Sequence, residues 1–117
     1  KTNIMHKTYH DKQKEIEKVM KRVPNWLSKG YKEINSVILL KFLELKKKND
    51  SISKQKFNME CDELIGRSKF PGDFNQMTNF GQRNHGKFFE TINDQVYLWK
   101  PVAEFIHAEY EKIKKNY

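Results

Sequence analysis

The segment at residues 35–48 constrains the fold most, because its apolar residues lie nearly all round a helix. Seven apolar side chains fall within nine positions: Val37, Ile38, Leu39, Leu40, Phe42, Leu43 and Leu45. A helix that is apolar all round has to be buried on every side. We therefore expect a central core helix, capped by Asn35 or Ser36 and ending in three lysines at residues 46–48, where positive charge suits the helix C-terminus.

A second apolar pattern precedes this helix. Ile16, Val19, Met20 and Val23 fall at i, i+3, i+4 and i+7, which predicts an amphipathic helix at residues 10–23. Pro24 is expected to stop that helix, because proline removes a backbone donor and clashes with the preceding turn. Residues 25–30 then form a turn.

Two shorter helices are predicted after the central one. Residues 53–65 begin with Ser53 as N-cap and end before Gly66, with an apolar face made of Phe57, Cys61, Leu64 and Ile65. Residues 71–80 form the next helix, since proline is favoured at a first helical position. In that helix Phe74 and Met77 are expected to face the core.

The period changes from helical to alternating after Gly81. Residues 87–92 and 95–99 are rich in aromatic and β-branched side chains, and Asn93-Asp94 between them suits a tight turn. A last amphipathic helix begins near Pro101. The sequence thus predicts a mainly α fold with a small β-hairpin.

Charge and cysteine content narrow the classes of function. Among 117 residues, 23 Lys+Arg face 15 Asp+Glu, which gives a formal net charge of +8 and suits a polyanionic partner. The single Cys61 excludes an intrachain disulfide, and no cysteine and histidine set has the spacing of a zinc site. The longest apolar run is far too short to span a membrane. We expect a cytoplasmic protein with no metal or cofactor.

The order of elements from residue 35 to about residue 106 resembles the winged helix-turn-helix superfamily. That superfamily occurs in transcriptional regulators, in phage proteins and as appendages of restriction enzymes. The resemblance implies a winged helix-turn-helix domain at residues 34–117, including the C-terminal helix, after an N-terminal helical extension at residues 1–33. It also implies that the helix at residues 71–80 is a recognition helix in the major groove of double-stranded DNA, and that the hairpin is the wing.

The residue types in this region fit such a role. Side-chain amides read adenine edges and basic side chains contact phosphates, whereas Asp73 is expected to cap the helix. Base contacts are expected from Asn75, Gln76 and Asn79, and phosphate contacts from Arg67, Lys69, Arg83 and Lys87. The remaining predicted DNA-binding residues are Thr78, Gln82, Asn84 and His85. The amides and glycines could instead serve only to build turns and caps.

Catalytic patterns are weak in this sequence. His6 and His10 are spaced i, i+4 but have no third metal ligand, and Asn84-His85 matches only part of an HNH-type nuclease motif. Glu44-Leu45-Lys46 matches half of a common nuclease core but falls on a helix. We expect no enzyme and no catalytic residue; the alternative is a non-catalytic fragment of a larger nuclease.

The predicted function is double-stranded DNA binding, with transcription regulation or a phage or defence system as its setting. The alternative is a protein-interaction module on the same scaffold, such as a phage inhibitor of a host enzyme or the specificity domain of a restriction or defence enzyme. That module would present Tyr97 and Trp99 to its partner. A protein partner or a second copy could also pair with the helix at residues 10–23, unless that helix packs on its own domain through Trp26 and the last helix.

Overall fold

The computed structural model describes the backbone of residues 2–66, 70–79 and 84–114 and, within these ranges, the side chains from residue 12 onward. Its elements are the helices α1 (Thr2–Lys29), α2 (Ile34–Lys48), α3 (Lys54–Ile65) and α4 (Phe70–Gln76), the strands β1 (Phe89–Ile92) and β2 (Gln95–Leu98), and the helix α5 (Lys100–Lys114). The predicted mainly α fold with a small β-hairpin is confirmed. Among the described helices, none has the length and apolar character needed to cross a membrane.

α2 is the central helix, as its sequence predicts. All seven of its predicted apolar residues are buried, from Val37 to Leu45. The predicted caps are wrong, because Glu33 occupies the cap position and makes no side-chain cap hydrogen bond. Ser36 is fully buried, and its Oγ has no hydrogen-bond partner among the described residues.

Aromatic rings join α2, α3, α4 and β1 into one core. The ring of Phe57 lies 5.7 Å from that of Phe42, 5.4 Å from that of Phe70 and 5.6 Å from that of Phe74. The ring of Phe89 lies 5.2 Å from that of Phe42. Most of these pairs are edge-to-face, a favoured geometry for aromatic rings. This cluster fixes α4 and the hairpin against the two longer helices.

α1 is longer than the sequence predicts. It continues through Pro24 to Lys29, and the predicted stop and turn are wrong. On either side of the proline, Val23, Trp26 and Leu27 are buried in the common core, where α1 packs along α5 and against α2. Burial of such side chains contributes about 1.5–3 kcal/mol each, which offsets the roughly 3 kcal/mol cost of an internal proline. The chain leaves α1 at Gly30, with a φ of 60°, and a 3-10 turn, Gly30–Lys32, leads to α2.

α3 begins and ends as predicted. The Ser53 Oγ accepts a hydrogen bond from the Lys56 backbone N–H at 3.1 Å, and Gly66 terminates the helix with a φ of 93°. Phe57 and Cys61 are buried, but Leu64 is half exposed, so its predicted place on the buried face is wrong.

α4 is shorter than the predicted helix at residues 71–80. It ends at Gln76, and Thr78 and Asn79 lie in the turn that follows. A long-range contact lies at this end: the Gln76 carbonyl, which residue 80 would bond in the predicted helix, accepts a hydrogen bond from the Gly86 N–H at 3.4 Å. The Met77 carbonyl accepts from the N–H groups of Phe88 at 2.8 Å and Phe89 at 3.1 Å, which ties the end of α4 to the start of the hairpin.

The hairpin has the predicted turn and is attached to the start of α3. Asn93 and Asp94 have positive φ values of 51° and 64°, which is the backbone that a two-residue hairpin turn requires. On the outer edge of β2, the Val96 N–H donates to the Ile52 carbonyl at 2.8 Å. The Lys54 N–H donates to the Asp94 carbonyl, also at 2.8 Å. These bonds hold the hairpin beside the first turn of α3.

Candidate nucleic-acid interface

A groove of about 1070 Å³ opens between the start of α3, α4 and the hairpin. We refer to it as the α3–α4–hairpin groove. Phe70 and Phe74 of the aromatic core contribute to its lining, and most of the other lining residues are polar. These polar residues are Ser53, Lys54, Gln55, Asn58, Asn75, Thr78, Asn79, Lys87, Glu90, Thr91 and Asp94.

Four of the predicted DNA-binding residues meet in this groove: Asn75, Thr78, Asn79 and Lys87. The Asn79 Nδ2 donates to the Asn75 Oδ1 at 2.8 Å, so the two amides hold each other in place. The Lys87 Nζ donates to the Thr78 carbonyl at 2.9 Å and lies 5.8 Å from the centre of the Trp99 ring. Contacts within the chain thus hold the amide pair and the lysine in position.

Three predicted residues are placed outside the groove lining. Gln76 is partly buried, and its carbonyl accepts from the Gly86 N–H at 3.4 Å. Asn84 and His85 lie on the loop that enters the hairpin. The His85 Nε2 is 3.2 Å from the Asp73 Oδ1, so Asp73 lies inside α4 and faces His85 rather than acting as an N-cap.

The other predicted phosphate-contacting and turn residues lie outside the described residues. They are Arg67, Lys69, Gln82 and Arg83. Their predicted roles stay predictions.

α1 holds the loop at residues 84–87 through hydrogen bonds to its backbone. The buried Glu15 accepts a hydrogen bond from the Lys87 backbone N–H at 2.7 Å through its Oε2. The Lys18 Nζ donates to the Asn84 carbonyl at 3.3 Å, and the Arg22 guanidinium donates to the His85 carbonyl. The Trp26 ring stacks on Phe88 at 4.6 Å, next to the same loop. The side chains of α1 therefore fix the link between α4 and the hairpin.

The groove carries charges of both signs. Lys54 and Lys87 supply positive charge, whereas Glu90 and Asp94 of the hairpin supply negative charge. The neutral side-chain amides of the lining can hydrogen-bond base edges.

The α3 wall of the groove was not predicted from the sequence. Lys54, Gln55 and Asn58 are brought to α4 by the pairing of β2 with the residues before α3. The Asn58 Oδ1 is buried and has no hydrogen-bond partner among the described residues. Local periodicity carries no signal for such a contact, because it depends on residues about 40 positions apart in the chain.

The structure also places Cys61 and the residues of the weak catalytic patterns. Burial raises the pKa of the Cys61 thiol to about 12, so this group stays protonated at neutral pH. Glu44 and Lys46 lie on the helix α2 and not on a strand. The side chains of His6 and His10 are outside those described. No three histidine, cysteine, aspartate or glutamate side chains gather as a metal site in the described part of the chain.

No family model matches the sequence, no curated protein matches it, and no solved structure matches the fold.

Proposed function

We propose that this chain binds double-stranded DNA through the α3–α4–hairpin groove, as a winged helix-turn-helix domain. The observation that carries the proposal is the group of Asn75, Thr78, Asn79 and Lys87, which meet in one groove between a short helix and a hairpin. The net charge of +8 supports it, because a positive field attracts a phosphate backbone.

Each wall of the groove offers side chains that can contact one part of a DNA duplex. Asn75 and Asn79 offer amides of the kind that pair with an adenine edge, and Thr78 can contact a thymine methyl group. Lys87 and Lys54 offer charge to the phosphates on either side. The hairpin would lie against the duplex beside α4, in the place of a wing.

The observed geometry refines the residues that would read bases. Because α4 ends at Gln76, base contacts would come from Asn75 in the last turn of the helix and from Thr78 and Asn79 just after it. The Asp73 carboxylate is paired with the His85 ring and is not expected to contact a base. We infer a binding role and not a catalytic one for this groove.

A second candidate, a protein-interaction module, is favoured by one feature of the hairpin. Ile92 is 53% exposed and Tyr97 is 38% exposed, and alternation along the strands puts both on the outer face. Trp99 is buried and could not be presented to a partner as the sequence suggested. This outer face is small, so the polar groove remains the better candidate.

A fluorescence-anisotropy titration with duplex DNA tests the main proposal. A preferred sequence is first selected from a randomised duplex pool, and N75A/N79A is compared with wild type on that sequence and on random duplex. We expect the variant to lose roughly thirtyfold or more in affinity for the preferred sequence, because each of the two lost base contacts discriminates by about 1–3 kcal/mol. Affinity for random duplex should change little.

The matched control for this experiment is Q13A/N35A, which removes two amides from α1 and α2 and should behave as wild type. If N75A/N79A keeps the sequence preference of wild type, the assignment of the recognition helix is wrong. If wild type shows no salt-sensitive binding to any duplex at low salt, DNA binding itself is wrong.

A further inference from the structure

A second positively charged surface lies on α1. Lys14, Lys18, Lys21 and Arg22 follow one another at i, i+4, i+7 and i+8, so they share one side of the helix. With Glu17 and Asn25 they line a shallow depression of about 670 Å³. We refer to the four basic residues as the α1 basic face. Four positive charges stand against two carboxylates, that of Glu17 and that of the buried Glu15, whose Oε1 lies 3.5 Å from the Lys18 Nζ.

The α1 basic face adjoins the α3–α4–hairpin groove through the loop at residues 84–87. Lys18 and Arg22 donate hydrogen bonds to the loop carbonyls of Asn84 and His85. Two residues further on, Lys87 has its backbone N–H bonded to Glu15 of α1, while its side chain lines the groove. The loop thus contacts the α1 basic face at Asn84 and His85 and lines the groove at Lys87, so the two surfaces adjoin along it.

The four residues of the face differ in how they are held. Lys18 and Arg22 are partly buried and engaged with the loop, whereas Lys14 and Lys21 are exposed. Residues 14 and 22 are eight positions apart, about 12 Å along a helix at 1.5 Å per residue. That length covers about three phosphates of one DNA strand, at roughly 3.4 Å of helix axis each.

We propose that the α1 basic face binds the sugar-phosphate backbone of the same duplex that the groove reads. This inference rests on the proposed function. Charge complementarity and the continuity of the face with the groove support a DNA backbone as the occupant. Contacts of this kind carry no sequence information, so α1 would add affinity and salt dependence but no preference for a base.

The test is the salt dependence of duplex affinity for K14Q/K21Q. Two lost phosphate contacts should reduce the slope of log K against log salt by about two, and affinity at low salt should fall roughly tenfold for preferred and random sequences alike. K32Q/K112Q removes the same charge from exposed positions elsewhere and should leave the slope near that of wild type. K14R/K21R keeps the charge and should retain the wild-type slope.

Each outcome decides one claim. If K14Q/K21Q has the slope and affinity of K32Q/K112Q while N75A/N79A alters binding, the α1 basic face does not contact DNA and the groove proposal stands. If K14Q/K21Q weakens binding and the amide variant has no effect, the face is supported and the role of the groove is wrong. If wild type binds no duplex at low salt, both proposals are overturned.

Discussion

Gly86 has a backbone that other residues rarely adopt. Its φ is +132°, and a Cβ at this position would lie 3.1 Å from the Phe88 Cε1 and 3.1 Å from the Val19 Cγ2. α1 also approaches the backbone closely at this point. Gly86 therefore meets both a conformational and a packing requirement.

Replacement of Gly86 by alanine should lower the free energy of unfolding by more than about 2 kcal/mol. Backbone strain of this kind costs of order 1–3 kcal/mol, and overpacking adds a similar amount. Urea denaturation followed by circular dichroism measures the loss. Gly72→Ala is the matched control, since Gly72 lies in α4 with no atom within 4 Å of its added Cβ.

The control variant is expected to be neutral or up to about 1 kcal/mol more stable, as alanine favours a helix over glycine. Equal stability of G86A and G72A would contradict the close contact between α1 and the loop.

Individual turn residues were predictable from the sequence where the interaction is local. Asn93 and Asp94 adopt the positive φ values that a short hairpin loop demands, and Ser53 caps α3 through a residue three positions on. The pairing of Asp73 with His85 was not predicted, because it joins residues that periodicity treats independently. Asp73 was assigned to capping for that reason.

Two helices differ in length from the prediction, and both differences come from tertiary packing. Proline and helical period are local signals, and they predicted that α1 stops at residue 23 and that α4 runs to residue 80. Burial of Trp26 and Leu27 extends α1, and the hydrogen bond from the Gly86 N–H occupies the Gln76 carbonyl that α4 would need in order to continue. Neither effect can be read from the residues of the helix itself.

The attachment of α1 to the hairpin loop depends on Glu15, and its removal should be measurable. Glu15→Ala leaves the Lys87 N–H without its acceptor in a buried site, and we expect a loss of about 1.5–3 kcal/mol in the free energy of unfolding. Glu15→Gln keeps an acceptor oxygen and should lose less. Glu17→Ala, at an exposed position on the same helix, should lie within about 0.5 kcal/mol of wild type.

Denaturant titrations of the three variants give these values. A Glu15→Ala protein as stable as wild type would show that the hydrogen bond contributes nothing to the fold. Equal losses in the alanine and glutamine variants would show that the charge, and not the acceptor, matters.

At the scale of the whole molecule, the surfaces proposed to bind DNA are assembled from four parts of the chain. Residues 75–79 and Lys87 were predicted from the amide content of one segment and the basic residues near it. Lys54, Gln55 and Asn58 were not, since long-range contacts such as the bond between Ile52 and Val96 bring α3 to the hairpin. The α1 basic face was not predicted either, because the spacing of the apolar residues defines only the opposite, buried side of the helix.

The burial of the apolar side of α1 in the core also limits the class of partner that this helix can bind. Its apolar side chains Val19, Val23, Trp26 and Leu27 are buried within this chain, so its exposed side is mainly charged. A surface of that kind suits a polyanion better than it suits an apolar partner helix.

The central claim is that DNA contacts the α3–α4–hairpin groove, and a titration of the ¹⁵N-labelled protein with a short duplex tests it most directly. Amide chemical shifts followed by NMR at low salt report which residues meet the duplex. The account predicts the largest changes at Lys54, Gln55, residues 75–79 and 84–87, with smaller changes along residues 14–22. Changes confined to Ile92, Tyr97 and α5, or no change at low salt, would contradict it.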